Sequence, residues 1–197
     1  MKSLKGTKTA ENLLKAFAGE SQARNRYTYY AGAAKKEGYN EISEIFMETA
    51  EQEKEHAKRF FKFLAEDFKD EEIEITAGYP VALSTSTMDN LKSAASGEND
   101  EWTNLYPTFS KIAKEEGFIE VSIAFDRIGE VEKFHEARYL DLLKNVEEGK
   151  VFKKDEDVIW QCGNCGYLYT GKEAPEKCPA CVHPKSYFRP YSKSYGV

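Results

Sequence analysis

The chain has 197 residues, 41% of them hydrophobic and 31% charged, and a net charge of −6. That is enough for one ordinary domain and a small one, with a real core in the larger. The acidic balance excludes a partner held by phosphate neutralisation, so no nucleic acid is expected. No apolar run approaches the ~20 residues of a membrane span, and no signal-peptide pattern appears; no membrane is expected, and the cytoplasm is the expected compartment.

A first helix is expected over residues 9–37, opened by a threonine N-cap and stopped at Gly38. A second, over 40–67, carries Ile42, Ile45, Phe46, Thr49, Phe60, Phe63 and Leu64 at helical intervals. A long connection follows, with Gly78-Tyr79-Pro80 as its turn signal. The third helix is expected over 87–116, with a kink or local break at Pro107, and the fourth over 118–147. Composition then changes. Residues 149–157 read as a linker between a unit at 1–148 and a small Gly-, Pro- and aromatic-rich unit at 158–197 with a loose end.

The two halves of the helical region repeat. Tyr27 and Tyr106, Gly38 and Gly117, Glu53 and Glu132, His56 and His135, and Arg59 and Arg138 are each 79 residues apart. Farther upstream, Ala18-Gly19-Glu20 aligns with Ser96-Gly97-Glu98 only after a one-residue shift. Two helical hairpins joined by one long crossover make a mostly α four-helix bundle.

The repeat keeps its rare residues. Of only three histidines, two lie in Glu53-x-x-His56 and Glu132-x-x-His135. Residues three apart share a helix face, so each pair offers a carboxylate and an imidazole to one point. One such pair is an ordinary solvated face. Two in register, with Glu20 and Glu98 on the other helices, match the pattern of di-iron and di-manganese bundles. Such oxygen-rich sites suit iron or manganese. Burying so many carboxylates without cations would be too costly. Glu101 follows Glu98 by three and is a further ligand candidate without a repeat mate; the plain alternative is a surface glutamate. Tyr27 and Tyr106 are expected to donate hydrogen bonds to ligands, with core packing as the alternative. Arg59 and Arg138 read as surface or ligand-supporting ion pairs, and His183 as no ligand.

All four cysteines fall in Cys162-Gly-Asn-Cys165 and Cys178-Pro-Ala-Cys181. Paired CxxC knuckles in such a chain read as a tetrathiolate site for zinc or a single iron rather than as disulfides. A zinc ribbon that only braces the fold is the structural alternative.

The segments "AGES", "EQEKEH", "SGENDEWTNLYP", "EVEKFHEARY" and "CGNCGYLYTG…CPACVHPKSYF" resemble, in order, the motifs of the rubrerythrin family across essentially the whole chain. The resemblance implies a ferritin-like bundle fused to a rubredoxin-like β/loop tail. It implies an oxo/carboxylate-bridged non-haem di-iron pair held by Glu20, Glu53, His56, Glu98, Glu101, Glu132 and His135, with Glu53 and Glu132 bridging. It further implies one iron on Cys162, Cys165, Cys178 and Cys181, zinc being the alternative occupant. The implied activity is reduction of hydrogen peroxide to water in oxidative-stress protection, with Tyr27 and Tyr106 among the catalytic groups. Electrons would come from rubredoxin or an NAD(P)H-dependent reductase, and a head-to-tail homodimer would bring one subunit's tail to the other's di-iron site. A ferroxidase or iron-handling bundle, a di-iron oxygenase, and a non-enzymatic zinc-ribbon interaction protein are the rival readings.

Overall fold

The structure is a computed structural model and describes residues 2–192. Residues 193–197, the end of the expected loose tail, lie outside the described residues.

Helix α1 (Lys8–Glu37) starts one residue earlier than expected, because Thr7 is the N-cap and accepts from the Ala10 amide. Thr9 lies inside the first turn, where its hydroxyl donates to Glu116 at 2.6 Å. Gly38 closes the helix at φ 85°, a left-handed conformation that costs glycine little. Helix α2 (Asn40–Phe68) returns against it. Residues 71–84 then cross the bundle with neither helix nor strand, held in part by Tyr79 Oη donating to the Lys15 carbonyl at 2.8 Å.

The expected third helix is two helices with a different turn between them. Helix α3 (Thr87–Asp100), capped by Ser86, passes into a π-helical turn at Glu101–Leu105, and α4 (Tyr106–Glu115) continues the chain. The Tyr106 amide bonds back to the Glu101 carbonyl, five residues away. Such a turn accommodates one extra residue within a helix. The repeat contains that residue: Glu20 to Tyr27 is seven positions, whereas Glu98 to Tyr106 is eight. The break therefore comes from an insertion and not from Pro107, which sits harmlessly in the first turn of α4. Gly117, at φ 84°, repeats the role of Gly38 before α5 (Ile119–Glu147).

Two apolar clusters form the bundle core. One packs Tyr27, Tyr30, Phe46 and Tyr139; the other packs Phe60, Tyr106 and Phe125. Glu53 and His56 lie between Phe46 and Phe60 on α2, and Glu132 and His135 lie between Phe125 and Tyr139 on α5. The polar site is a layer between two hydrophobic plugs. Among the described residues, no helix is long and apolar enough to cross a membrane.

The tail is a three-stranded antiparallel sheet, β1 (Lys153–Cys162), β2 (Leu168–Glu173) and β3 (Phe188–Pro190), in the order β2-β1-β3. Strand β1 begins inside the stretch expected to be linker, because Lys153 already pairs with Glu173. Trp160 is fully buried beneath the cysteine knuckles, beside Cys162 and Cys178. Phe152 stacks on Tyr39 with ring centroids 6.2 Å apart, and Arg189 reaches Glu44 at 2.9 Å, so the tail rests on the hairpin end of α1 and α2.

Candidate metal centres

The four helices bring Glu20, Glu53, Glu98, Glu132, His56 and His135 together. Glu20, Glu53, His56 and Glu132 form one group whose ligand atoms lie within 4.8 Å of one another; Glu53, Glu98, Glu132 and His135 form a second. Glu53 and Glu132 belong to both, and their oxygens are divided between them. His56 Nδ1 lies 2.9 Å from Glu53 Oε2 and 2.9 Å from Glu132 Oε1. His135 Nδ1 lies 3.2 Å from Glu53 Oε1 and 2.8 Å from Glu132 Oε2. Each central carboxylate thus turns one oxygen to each imidazole, the arrangement a bridge between two cations requires.

The outer glutamates are aimed from behind. Tyr27 Oη donates to Glu98 Oε1 at 2.5 Å, and Tyr106 Oη donates to Glu20 Oε1. Each tyrosine therefore reaches the glutamate of the opposite hairpin, and each glutamate keeps its Oε2 for the centre. The π-turn makes this exchange symmetric despite the extra residue. Glu20 Oε2, Glu53 Oε1, Glu98 Oε2, both Glu132 oxygens and His135 Nδ1 are buried without a hydrogen-bond partner. Unpaired polar atoms in a core are rare and costly. Here they all converge on one place.

Burial, and then the charge of Glu53, push Glu20 up to about 7. Burial raises Glu98 and Glu101 well above the usual carboxylate range, as it raises the phenols of Tyr27 and Tyr106. Burial opposes protonation of His135, but the close carboxylates of Glu132 and Glu53 outweigh it and lift the imidazole to about 9. His56 is raised by Glu132, Glu20 and Glu53 against the same opposing burial.

In the tail, the four Sγ atoms also lie within 4.8 Å of one another. Cys162 and Cys181 are 3.7 Å apart, and Cys165 and Cys178 are 3.6 Å apart. A tetrahedron with metal–sulfur bonds of ~2.3 Å has edges of about 3.8 Å. All four thiols are free, and their spacing is that of ligands around one ion. The His183 amide, with the neighbouring thiols, brings Cys181 down to about 6; the Tyr167 amide also favours the thiolate at Cys165, but the crowding thiols and burial outweigh it and push that thiol up to about 12.

The family model described as Rubrerythrin matches residues 11–143, and that of the rubrerythrin rubredoxin-like domain matches residues 160–189. The chain belongs to the rubrerythrin family. It is 62% identical to a rubrerythrin of Clostridium perfringens, over 99% of this chain and all of that one. Among solved structures, it resembles nigerythrin in its fully reduced, all-ferrous state at 34% identity and TM-score 0.63, covering 96% of this chain and 92% of that one. The bundle also resembles the di-iron bacterioferritin of Desulfovibrio desulfuricans, at 26% identity and TM-score 0.65, over 73% of this chain and 82% of that one.

As a rubrerythrin, the chain carries a di-iron site in a ferritin-like bundle and an iron site in a four-cysteine, rubredoxin-like tail. The residues fit both: inward unpaired carboxylate oxygens suit hard iron, and the thiolate tetrahedron has the right edge. Glu101 stands apart. It is half-buried at the start of the π-turn, outside both ligand groups, beside Gly19 of α1. Arg138 pairs with Glu48 at 2.7 Å and Arg59 lies over Phe63, both away from the centre. His183 contacts Tyr187 and the Cys181 carbonyl and joins no ligand group.

One supporting residue escaped the sequence. Gln52 Oε1 meets His135 Nε2 at 2.9 Å, which leaves Nδ1 free to face the centre. Its repeat mate is Val131, so His56 has no equivalent anchor. His56 is also the more exposed imidazole, at 14% against 1% for His135. Only the unequal pair Gln52/Val131 could have signalled this.

Deleting Asn104, an exposed π-turn residue, should restore the seven-position spacing of Glu20 and Tyr27, replace the π-turn with α-helix and keep Tyr106 in register with Glu98. The bundle should still hold two irons per chain, with the tail's thiolate-iron absorption as proof of a folded chain. Loss of bundle iron from a folded deletion variant would show that the π-turn does more than absorb the extra residue.

Proposed function

We propose that this rubrerythrin is a non-haem di-iron peroxidase that reduces hydrogen peroxide to water, with electrons relayed through the tetrathiolate iron, and so protects against oxidative stress. The observation that carries this reading is the joining of a carboxylate-rich bundle to four converging thiols in one chain. An iron-storing bundle has no use for a one-electron relay, and a zinc ribbon has no use for six inward-facing bundle ligands.

When bound, the paired irons supply the two electrons that O–O cleavage needs, and the thiolate-held iron replaces them one at a time. The protein's own part is to aim ligands and handle protons. Glu53 and Glu132 would bridge, Glu20 and Glu98 would each hold one metal, and His56 and His135 would face one metal each. Tyr27 and Tyr106 keep their phenolic protons, since burial and neighbouring carboxylates disfavour the phenolate. Held at Oη, those protons lie one hydrogen bond from the metal-facing carboxylates, where departing oxygens need them.

We also infer that Glu101 and His56 exchange at one metal. An anionic oxygen suits ferric iron, whereas a neutral imidazole suits ferrous iron better. The less anchored imidazole and the carboxylate standing outside the ligand groups support that exchange. The chain would act in the cytoplasm as a head-to-tail homodimer, drawing on rubredoxin or an NAD(P)H-dependent reductase.

The class is tested by rapid mixing of the fully reduced protein with peroxide or with dioxygen. Faster oxidation by peroxide is expected; faster reaction with dioxygen, with iron accumulating as mineral, would favour a ferroxidase.

The relay is tested by Cys178→Ser. That variant should lose the visible iron–thiolate absorption and reductase-linked peroxide turnover, while a chemically pre-reduced bundle still reacts with peroxide. Turnover at the normal rate without that absorption would overturn the relay.

A further inference from the structure

A cavity of about 700 Å³ lies between α1, the crossover at Ala77–Pro80 and the start of the π-turn. Glu101 and Tyr106 line one side, and Gln22 and Arg26 another. Arg26 is only 9% exposed, an expensive location for a permanent cation. Its Nε donates to Gln22 Oε1 at 2.6 Å and its Nη1 reaches Tyr30 Oη only at 3.4 Å. Among the described residues, Nη2 meets no hydrogen-bond acceptor; it faces Gly97, one residue before the ligand Glu98. Among the described residues no ion pair within 4 Å accounts for this guanidinium, which otherwise lies over the Tyr27 ring, 5.8 Å from its centroid.

Two carboxylates, Asp100 and Glu101, share the cavity with Arg26 and with Lys15, and Glu101 is the one with an oxygen beside Gly19 of α1. Gly19 and Gly97 mark where the two groups sit: a β-carbon at Gly19 would lie 3.9 Å from Glu101 Oε1, and one at Gly97 would lie 3.9 Å from Arg26 Nη2. Like Glu101, Arg26 has no counterpart in the repeat. Across the one-residue shift it aligns with Asn104 or Leu105, neither of them basic. The unmatched carboxylate and the unmatched cation therefore occur together, on opposite hairpins, across one cavity.

We propose that Arg26 is a positioning residue for Glu101: its guanidinium holds the carboxylate in the cavity whenever Glu101 is off the metal. The proposal rests on the reading that Glu101 exchanges with His56. The side chain would then move between two cationic partners, ferric iron on one side and Arg26 on the other. Without the arginine, the released carboxylate would share the cavity with Asp100 and keep Lys15 as the remaining cation of the lining, so it should stay on the metal to a greater extent in both states. The oxidised state would be favoured.

The test compares oxidised and dithionite-reduced crystals, with redox titrations, of the iron-loaded wild type, Arg26→Gln and Arg26→Lys. In the reduced wild type, Glu101 should lie off the iron and within hydrogen-bond distance of Arg26. In Arg26→Gln it should remain on the iron after reduction. A tenfold shift in the on/off ratio would appear as a fall of about 59 mV in the one-electron potential of that iron. Arg26→Lys keeps the charge and the fold and should lie between the two. If Glu101 never binds iron in the oxidised wild type, the exchange reading itself fails. If it binds and then leaves in Arg26→Gln, or in Arg26→Lys where Gln does not fold, as fully and at the same potential as in the wild type, Arg26 has no such role.

Discussion

The constraint on which this structure depends is the burial of like charge. Glu20, Glu53, Glu98 and Glu132 are each about 1% exposed or less, and their inward oxygens crowd two imidazoles. A carboxylate in an apolar core without hydrogen bonds or cations is strongly unfavourable. Every neighbouring feature answers that problem. The phenols of Tyr27 and Tyr106 satisfy one oxygen of each outer glutamate, and Gln52 satisfies the far nitrogen of His135. The remaining oxygens are left to metal. The bundle's aromatic clusters above and below then exclude water, which strengthens each of these contacts.

The π-turn follows from the same constraint. Both outer glutamates must receive a phenol from the other hairpin, so the register of Glu98 against Tyr106 has to match that of Glu20 against Tyr27. One hairpin carries an additional residue. Spreading it over a single wide turn preserves the tyrosine contact and places Glu101 at the turn's beginning. Trp102 Nε1 donates to Glu136 of α5 at 2.6 Å, fixing the turn against its neighbour. The insertion thus breaks the repeat beside Glu101, a carboxylate that has no repeat mate.

Much of this was legible in the sequence because duplication doubles the signal. Glu53, His56, Glu132 and His135 stand out through spacing alone, and Glu20 and Glu98 through the short repeat ahead of them. The paired knuckles likewise announce a thiolate site, since four cysteines at that spacing converge. What stayed hidden depends on three-dimensional contact. The one-residue shift was visible, but Pro107 drew attention as the cause of a break that the inserted residue makes. Gln52 and Arg26 resemble any surface polar residue until the helices close around them. Strand β1 starts earlier than composition suggests because pairing with Glu173, a long-range contact, decides it.

The central claim is that the buried carboxylates are arranged for cations and unfavourable without them. Anaerobic titration of ferrous iron into metal-free protein, followed by thermal unfolding at each stoichiometry, tests it most directly. The bundle should take up two irons per chain, the tail one, and the unfolding temperature of the helices should rise with the bundle irons. A helical unfolding temperature that does not change as iron fills the bundle, or a bundle that takes up no iron, would contradict the account.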